Sequence, residues 1–138
     1  MNSHQLAYAS FTISGDNVVP EFWTTYFGVE PDTAIIKGTQ FATPSGRISR
    51  VPARTSVWGV RSKAAVDSSE LTPHLRYLVK RLVLPRSDLR ELVKQVRAQM
   101  RFFCYWDNES GNRVPDVPAD IRAMMEGMGG TVEIDEYR

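Results

Sequence analysis

Apolar and polar side chains alternate from Ala7 to Ile13, with Ala7, Ala9, Phe11 and Ile13 on one face and Tyr8, Ser10 and Thr12 on the other. A period of two is the mark of a half-buried strand, here over Leu6–Ile13, and Ser14-Gly15-Asp16-Asn17 supplies a turn to end it. The period then lengthens. Val19, Phe22, Trp23, Tyr26 and Phe27 recur at helical spacing, with Pro20 in the first turn and Gly28 just past the end. Proline presets φ at the start and glycine accepts a left-handed cap at the finish, so a short helix with an aromatic face is expected. Val29–Asp32 reads as extended or turn-like, because a residue before proline avoids the α region, and Thr33–Lys37 reads as a short strand.

From Gly38 to Ser56 no period holds, apart from a small strand at Ile48–Val51; the stretch carries three Arg, two Pro, two Gly and no acid. Such a long connection between elements is usually mobile or functional. Residues 56–62 give another strand. Ser69 is the expected N-cap of a long helix whose Leu71, Leu75, Leu78 and Leu82 lie within about 60° of one another. Pro85 must end or kink that helix. Ser87 then caps a second segment, with a stripe of Leu89, Leu92, Val93 and Val96. Met100–Trp106 is too aromatic for anything but a strand, and Asp107–Val117 is a loop. Pro118–Met128 reads as a third helix with Ile121, Met124, Met125 and Met128 inward, stopped by Gly129-Gly130. Thr131–Tyr137 is the last strand, with Val132 and Ile134 facing one way.

Helices and strands interleaved in this order bury one another's apolar faces as layers. The expectation is a single α/β (α+β) domain, 1–138, built as a two-layer sandwich. Its first six elements trace the βαββαβ path of a ferredoxin-like core, and an αβ unit is added at the C-terminal end.

Composition adds limits. The chain has 138 residues, 42% of them apolar and 24% charged, which is ordinary for a globular domain and excludes a disordered chain. One cysteine excludes an intrachain disulfide framework and a cysteine-rich metal site. No basic and apolar leader opens the sequence and no run of about 18 apolar residues occurs, so export and membrane spanning are disfavoured and a cytoplasmic location is expected.

The net charge of +1 hides an asymmetry. Residues 1–75 balance, residues 76–101 hold eight basic and two acidic side chains, and residues 102–138 hold three basic and eight acidic. Two outcomes stand open: the basic middle and acidic end neutralise each other, or the middle faces an anionic partner. The sharpest feature is a row of Arg90, Lys94, Arg97 and Arg101, which lines one helix edge if the helix runs to 101. Asp88 and Glu91 project elsewhere, so the row lacks local counterions.

Other chemistry fares less well. Cys104 sits mid-strand between Phe103 and Tyr105, an apolar setting that predicts a buried, unreactive thiol. The histidines are His4, near the start, and His74, on the flank of the leucine stripe. Asp107, Glu109 and Asp116 share a loop but match no calcium-binding spacing and read as a solvated acidic segment. No glycine-rich phosphate loop occurs. No cofactor, metal or catalytic residue is therefore assigned.

YASFTISG before a proline-started helix, then FGVEPDTAIIKG, the Trp58 strand, the leucine-rich helix and the C-terminal αβ unit together resemble the domain-of-unknown-function 4279 family. The resemblance runs from about Tyr8 to Tyr137. Its most specific pieces are the Phe11–Gly15 strand end, the Gly28-x-x-Pro31 step, the Lys37-Gly38 pair and Trp58. The basic loop from Thr39 to Thr55 is longer than the family pattern implies. The resemblance implies a small α/β fold in a bacterial cytoplasm and transfers no catalytic residue.

The expected function is a non-enzymatic binding module for a protein or a small anionic ligand. Its groove would lie between the kinked helix and the 38–56 loop, with Arg90, Lys94, Arg97 and Arg101 as the binding residues. Two alternatives stand beside it. One is nucleic-acid binding through the basic row, with Phe103 and Tyr105 beside it as candidates for base stacking. The other is an enzyme whose acid–base residues would be His74, Asp107 and Glu109.

Overall fold

The computed structural model describes residues 5–41 and 46–138. Its elements run β1 (Ala7–Gly15), α1 (Pro20–Phe27), β2 (Thr33–Ile35), β3 (Ser56–Arg61), α2 (Leu71–Leu82), α3 (Leu89–Gln95), β4 (Gln99–Asp107), α4 (Ala119–Gly127) and β5 (Thr131–Tyr137). The strands form one open mixed sheet ordered β2-β3-β1-β4-β5. Neighbours are antiparallel except for the parallel pair β4–β5, which α4 connects. The fold is mixed α+β.

One parity of the central strands makes the core. Ala7, Ala9, Phe11 and Ile13 of β1 are fully buried, as are Trp58, Phe102 and Cys104 on its neighbours. The register sets small against large, Ala7 opposite Trp106 and Ala9 opposite Cys104. Phe11 meets Phe27, Trp58 and Phe102 edge-on at centroid distances of 5.7, 6.4 and 5.7 Å, geometries that favour aromatic pairs. The indole N–H of Trp58 donates to Thr24 Oγ1 at 3.0 Å and ties α1 to β3. On α2 the stripe Leu71, Leu75, Leu78 and Leu82 is fully buried, as its spacing predicts.

The structure departs from the sequence reading in several places. The helix expected to bend at Pro85 is two helices. The first ends at Leu82, Val83 turns left-handed (φ 55°), and the Leu84–Pro85 peptide is cis. The second stops at Gln95, and Arg97 has φ 53°, so no helix carries residues 90 to 101 on one edge. On α1 it is Trp23 and Phe27 that are buried, whereas Val19 and Phe22 stay exposed. The 38–56 segment is tied across: Gly38 N–H donates to Ala53 O, Ala53 N–H to Thr39 O, and Ser49 N–H to Phe41 O, each at 2.8–2.9 Å. A hairpin-like arm therefore extends the β2–β3 pair. Of the strand expected at Ile48–Val51, only a single bridge at Ile48 forms, and residues 42–45 lie outside the described residues.

Neither expected serine caps its helix. Glu70 and Asp88 occupy the cap positions of α2 and α3, without side-chain caps. Asp116 caps α2 instead. Its carboxylate accepts from Leu71 N–H at 2.7 Å and Thr72 N–H at 2.9 Å, and its carbonyl accepts from the Thr72 hydroxyl at 3.0 Å. Two orphan amides are satisfied and a negative charge sits at the positive end of the helix dipole.

Burial pushes the Asp116 carboxyl upward, but the donated hydrogen bonds outweigh it and hold the group below the ordinary aspartate range. Asp116→Ala should cost about 1–2 kcal/mol in urea unfolding at neutral pH. A depressed carboxyl stabilises the fold above the unfolded value, about 4, and loses that contribution as pH falls through the folded value. Asp116→Asn should accordingly flatten the acid limb of the stability curve. A second test concerns the α4–β5 turn: a β-carbon at Gly130 would lie 2.8 Å from Met100 O and 3.0 Å from Met125 Sδ. Gly130→Ala should lower stability by about 1–3 kcal/mol, read from the urea midpoint.

Candidate functional site

The helices and their core account for one face of the sheet. The opposite parity carries Tyr8, Ser10 and Thr12 on β1, Val57, Gly59 and Arg61 on β3, Arg101, Phe103 and Tyr105 on β4, and Glu133 and Asp135 on β5. None of these belongs to the buried core apart from Gly59. A β-carbon there would crowd Thr12 Cγ2 at 3.1 Å and Phe11 O at 3.2 Å, so glycine lets β1 and β3 pair closely at that point.

Across this face the aromatic rings stack on one another. Tyr8 and Tyr105 lie face to face at 4.6 Å, Tyr105 and Tyr137 are tilted by 34° at 5.1 Å, and the Lys63 ammonium stands 5.0 Å from the Tyr8 centroid. The Arg101 guanidinium sits 5.3 Å from the Phe103 centroid. These ring faces already have partners.

Three hollows run along the β2–β3 side of the face. The largest, about 830 Å³, is lined by Tyr8, Asp32, Thr33, Phe41, Arg61 and Lys63 among others. It shares Ile35 and Phe41 with an apolar hollow of about 340 Å³ walled by Val51, Pro52, Ala53 and Val57 of the arm. That one shares Thr55 with a third, of about 480 Å³, bordered by Ser14, Asp16, Arg97 and Gln99. The shared residues make them successive parts of one groove: Arg61 and Lys63 line the first hollow, Arg54 the largely apolar middle and Arg97 the third. Lys37 and Asp16 cancel each other near the third hollow, bonded at 2.9 Å, and the ammonium holds the Asp16 carboxyl below its usual range. Arg54, Arg61, Lys63 and Arg97 have no carboxylate partner among the described residues. Arg47 and Arg50 on the arm have none either, and Ile36, Ile48 and Val51 beside them are exposed.

The four cations expected to form a ribbon are dispersed. Arg90 donates to Gly127 O at 3.3 Å, within the helix layer. Lys94 is exposed on α3. Arg97, beyond the end of α3, borders the third hollow together with Thr55 and the β1–α1 turn. Arg101 is on β4, not on a helix, and pairs with Glu133 at 3.1 Å. Elsewhere the basic middle is also drawn inward. Arg76 forms a two-pronged pair with Asp120 at 2.7 and 3.0 Å. Arg86 lies over Tyr26 and Phe27 and donates to Leu82 O and Tyr26 O.

Of the remaining candidates, Cys104, His74 and Asp116 occupy structural positions. Cys104 is buried, which pushes its thiol up to about 12. His74 is buried between Ser62 Oγ at 2.7 Å and Ser68 O at 2.9 Å, so both ring nitrogens are occupied. Ser62 Oγ in turn accepts from Ala9 N–H at 2.9 Å, locking β3 to β1. Glu109 is exposed in the loop after β4, and His4 lies outside the described residues. Asp116, read as part of a solvated acidic loop, is the α2 cap. Among the described residues no group of three His, Cys, Asp or Glu could hold a metal ion, and no helix is long and apolar enough to cross a membrane.

Tyr8, Asp32, Arg61 and Lys63 were not singled out from sequence. The available signal was parity: Arg61 alternates out of phase with Trp58 and Val60, which marks it as facing away from the core.

No curated protein and no solved structure matches the chain. A family pattern does, over residues 4–138. On that match the chain belongs to the DUF4279 family, described as a domain of unknown function.

Proposed function

We propose that this chain is a non-enzymatic binding module, a single domain that holds an acidic segment of a partner protein along the groove of its uncovered sheet face. The observation that carries this reading is the groove itself, with Arg54, Arg61, Lys63 and Arg97 uncompensated around an apolar middle. An extended segment with apolar anchors and flanking carboxylates fits that pattern, and rim charges of this kind steer association and set specificity. Arg47 and Arg50, with exposed Ile48 and Val51, extend the same chemistry onto the arm. Of the residues anticipated from sequence, Arg97 and Arg101 belong to this surface, and Arg90 and Lys94 stand apart from it.

Acidic protein is favoured over nucleic acid because the aromatic faces that would stack bases are occupied by one another and by Lys63 and Arg101. The elements from β1 through β4 read as a ferredoxin-like core, supported by the all-antiparallel order β2-β3-β1-β4, with α4 and β5 as the addition. The bacterial, cytoplasmic setting implied by the family resemblance is part of the same proposal.

The test is cross-linked affinity capture from the native host, with the captured protein then titrated against purified variants. Arg54→Glu with Arg97→Glu should weaken it by roughly tenfold or more and reduce the salt dependence of association. Lys94→Glu should leave binding unchanged. Equal binding by the double variant, or capture abolished by nuclease, would show the reading to be wrong.

A further inference from the structure

The deep end of the groove has features that a protein segment does not require. Its volume, about 830 Å³, falls in the range of small-molecule sites. Arg61 on β3 lines the hollow, and one guanidinium nitrogen donates to Thr33 Oγ1 at 3.1 Å, which fixes the fork while leaving further N–H groups without a bond among the described residues. Lys63 lies two residues on, at the same lip, over the Tyr8 ring. No carboxylate pairs with either cation among the described residues.

Among the described residues Asp32 is the one acid lining this hollow. Its N–H donates to Gly59 O at 2.8 Å, and its Oδ2 accepts from Arg61 N–H at 2.7 Å. Asp32 is thus tied to β3 through its own backbone N–H and through one carboxylate oxygen, which accepts from the backbone N–H of Arg61 and not from its guanidinium. Its second oxygen has no hydrogen bond among the described residues. Ile35 and Phe41 give the hollow an apolar wall.

Two cations and one acid leave a surplus of a single positive charge. A planar fork that keeps spare donors matches a carboxylate. Asp32 repels a negative charge placed beside it and accepts from a donor on the same ligand. From this geometry we infer that the hollow binds a small organic carboxylate that also carries a hydroxyl or ammonium group. The carboxylate meets Arg61 and Lys63, and the donor meets Asp32. The site shares Arg61 and Lys63 with the groove proposed above, and it can be occupied without a protein partner, since a small carboxylate needs only the residues of this hollow.

Thermal unfolding and calorimetric titration at constant ionic strength test it, with gluconate and L-glutamate as probes and acetate and inorganic phosphate as comparisons. Gluconate or glutamate at about 10 mM should raise Tm saturably by several degrees, since a ligand held only by the native state stabilises it. Acetate and phosphate should do so far less. Arg61→Gln and Lys63→Gln, both on exposed side chains, should remove the shift while leaving the ligand-free Tm close to wild type. Asp32→Asn should bring gluconate and glutamate down to the level of acetate. No saturable shift with either probe, an equal shift with phosphate, or an undiminished shift in the Arg61 and Lys63 variants would overturn the assignment. Because no partner protein enters these measurements, their failure leaves the acidic-segment reading to its own test.

Discussion

A sheet packed on one side only is the constraint from which the rest of this molecule follows. β1 runs between β3 and β4, and its inward residues must meet neighbours on both strands and the helices above them at once. Two alanines, a phenylalanine and an isoleucine, all fully buried, meet that demand. Phe11 is the centre of it, in edge contact with α1, β3 and β4 through Phe27, Trp58 and Phe102. Once one parity is committed to that core, the other is delivered to the opposite face, whatever it carries. Here it carries tyrosines, hydroxyls and cations, and the β2–β3 arm bounds it on one side.

Charge explains how much of that surface is left for a partner. The basic middle and acidic end do neutralise each other in part, through Arg76–Asp120 and Arg101–Glu133. Both pairs are exposed, and such pairs contribute little to stability. Their larger effect is to remove two cations from the pool. Arg86 and Arg90 are drawn into carbonyl contacts as well. The uncompensated cations that remain along the groove come mostly from the stretch whose overall charge is balanced, where a count by segment would not look for them.

Much of the architecture was legible because its causes are local. The β1 alternation, the Pro20 and Gly28 boundaries of α1, the leucine stripe of α2 and the aromatic run of β4 each follow from periodicity or from a residue's own dihedral preference. What failed was local pattern extended too far. The spacing of Arg90, Lys94, Arg97 and Arg101 is helical, but the chain leaves the helix at Val96 and turns through a left-handed Arg97 to enter β4. The aromatic strand that was read correctly at Met100 demanded that exit. Asp116 was invisible as a cap because its helix lies some forty-five residues earlier in the chain. The groove was hidden for the same reason, since it forms only where β1, β2, β3 and the arm converge. Outward parity at Arg61 was the sole trace of it.

Hydroxyl-radical footprinting reads the one-sided sheet most directly, because it reports solvent access residue by residue in the free protein. Tyr137 should be oxidised at a rate near that of an exposed tyrosine and Tyr8, half-buried against Tyr105, at an intermediate rate, while Trp23, Trp58 and Trp106 should be strongly protected. Protection of Tyr8 and Tyr137 as deep as that of the three tryptophans would mean that the second face is also covered, and the groove with it.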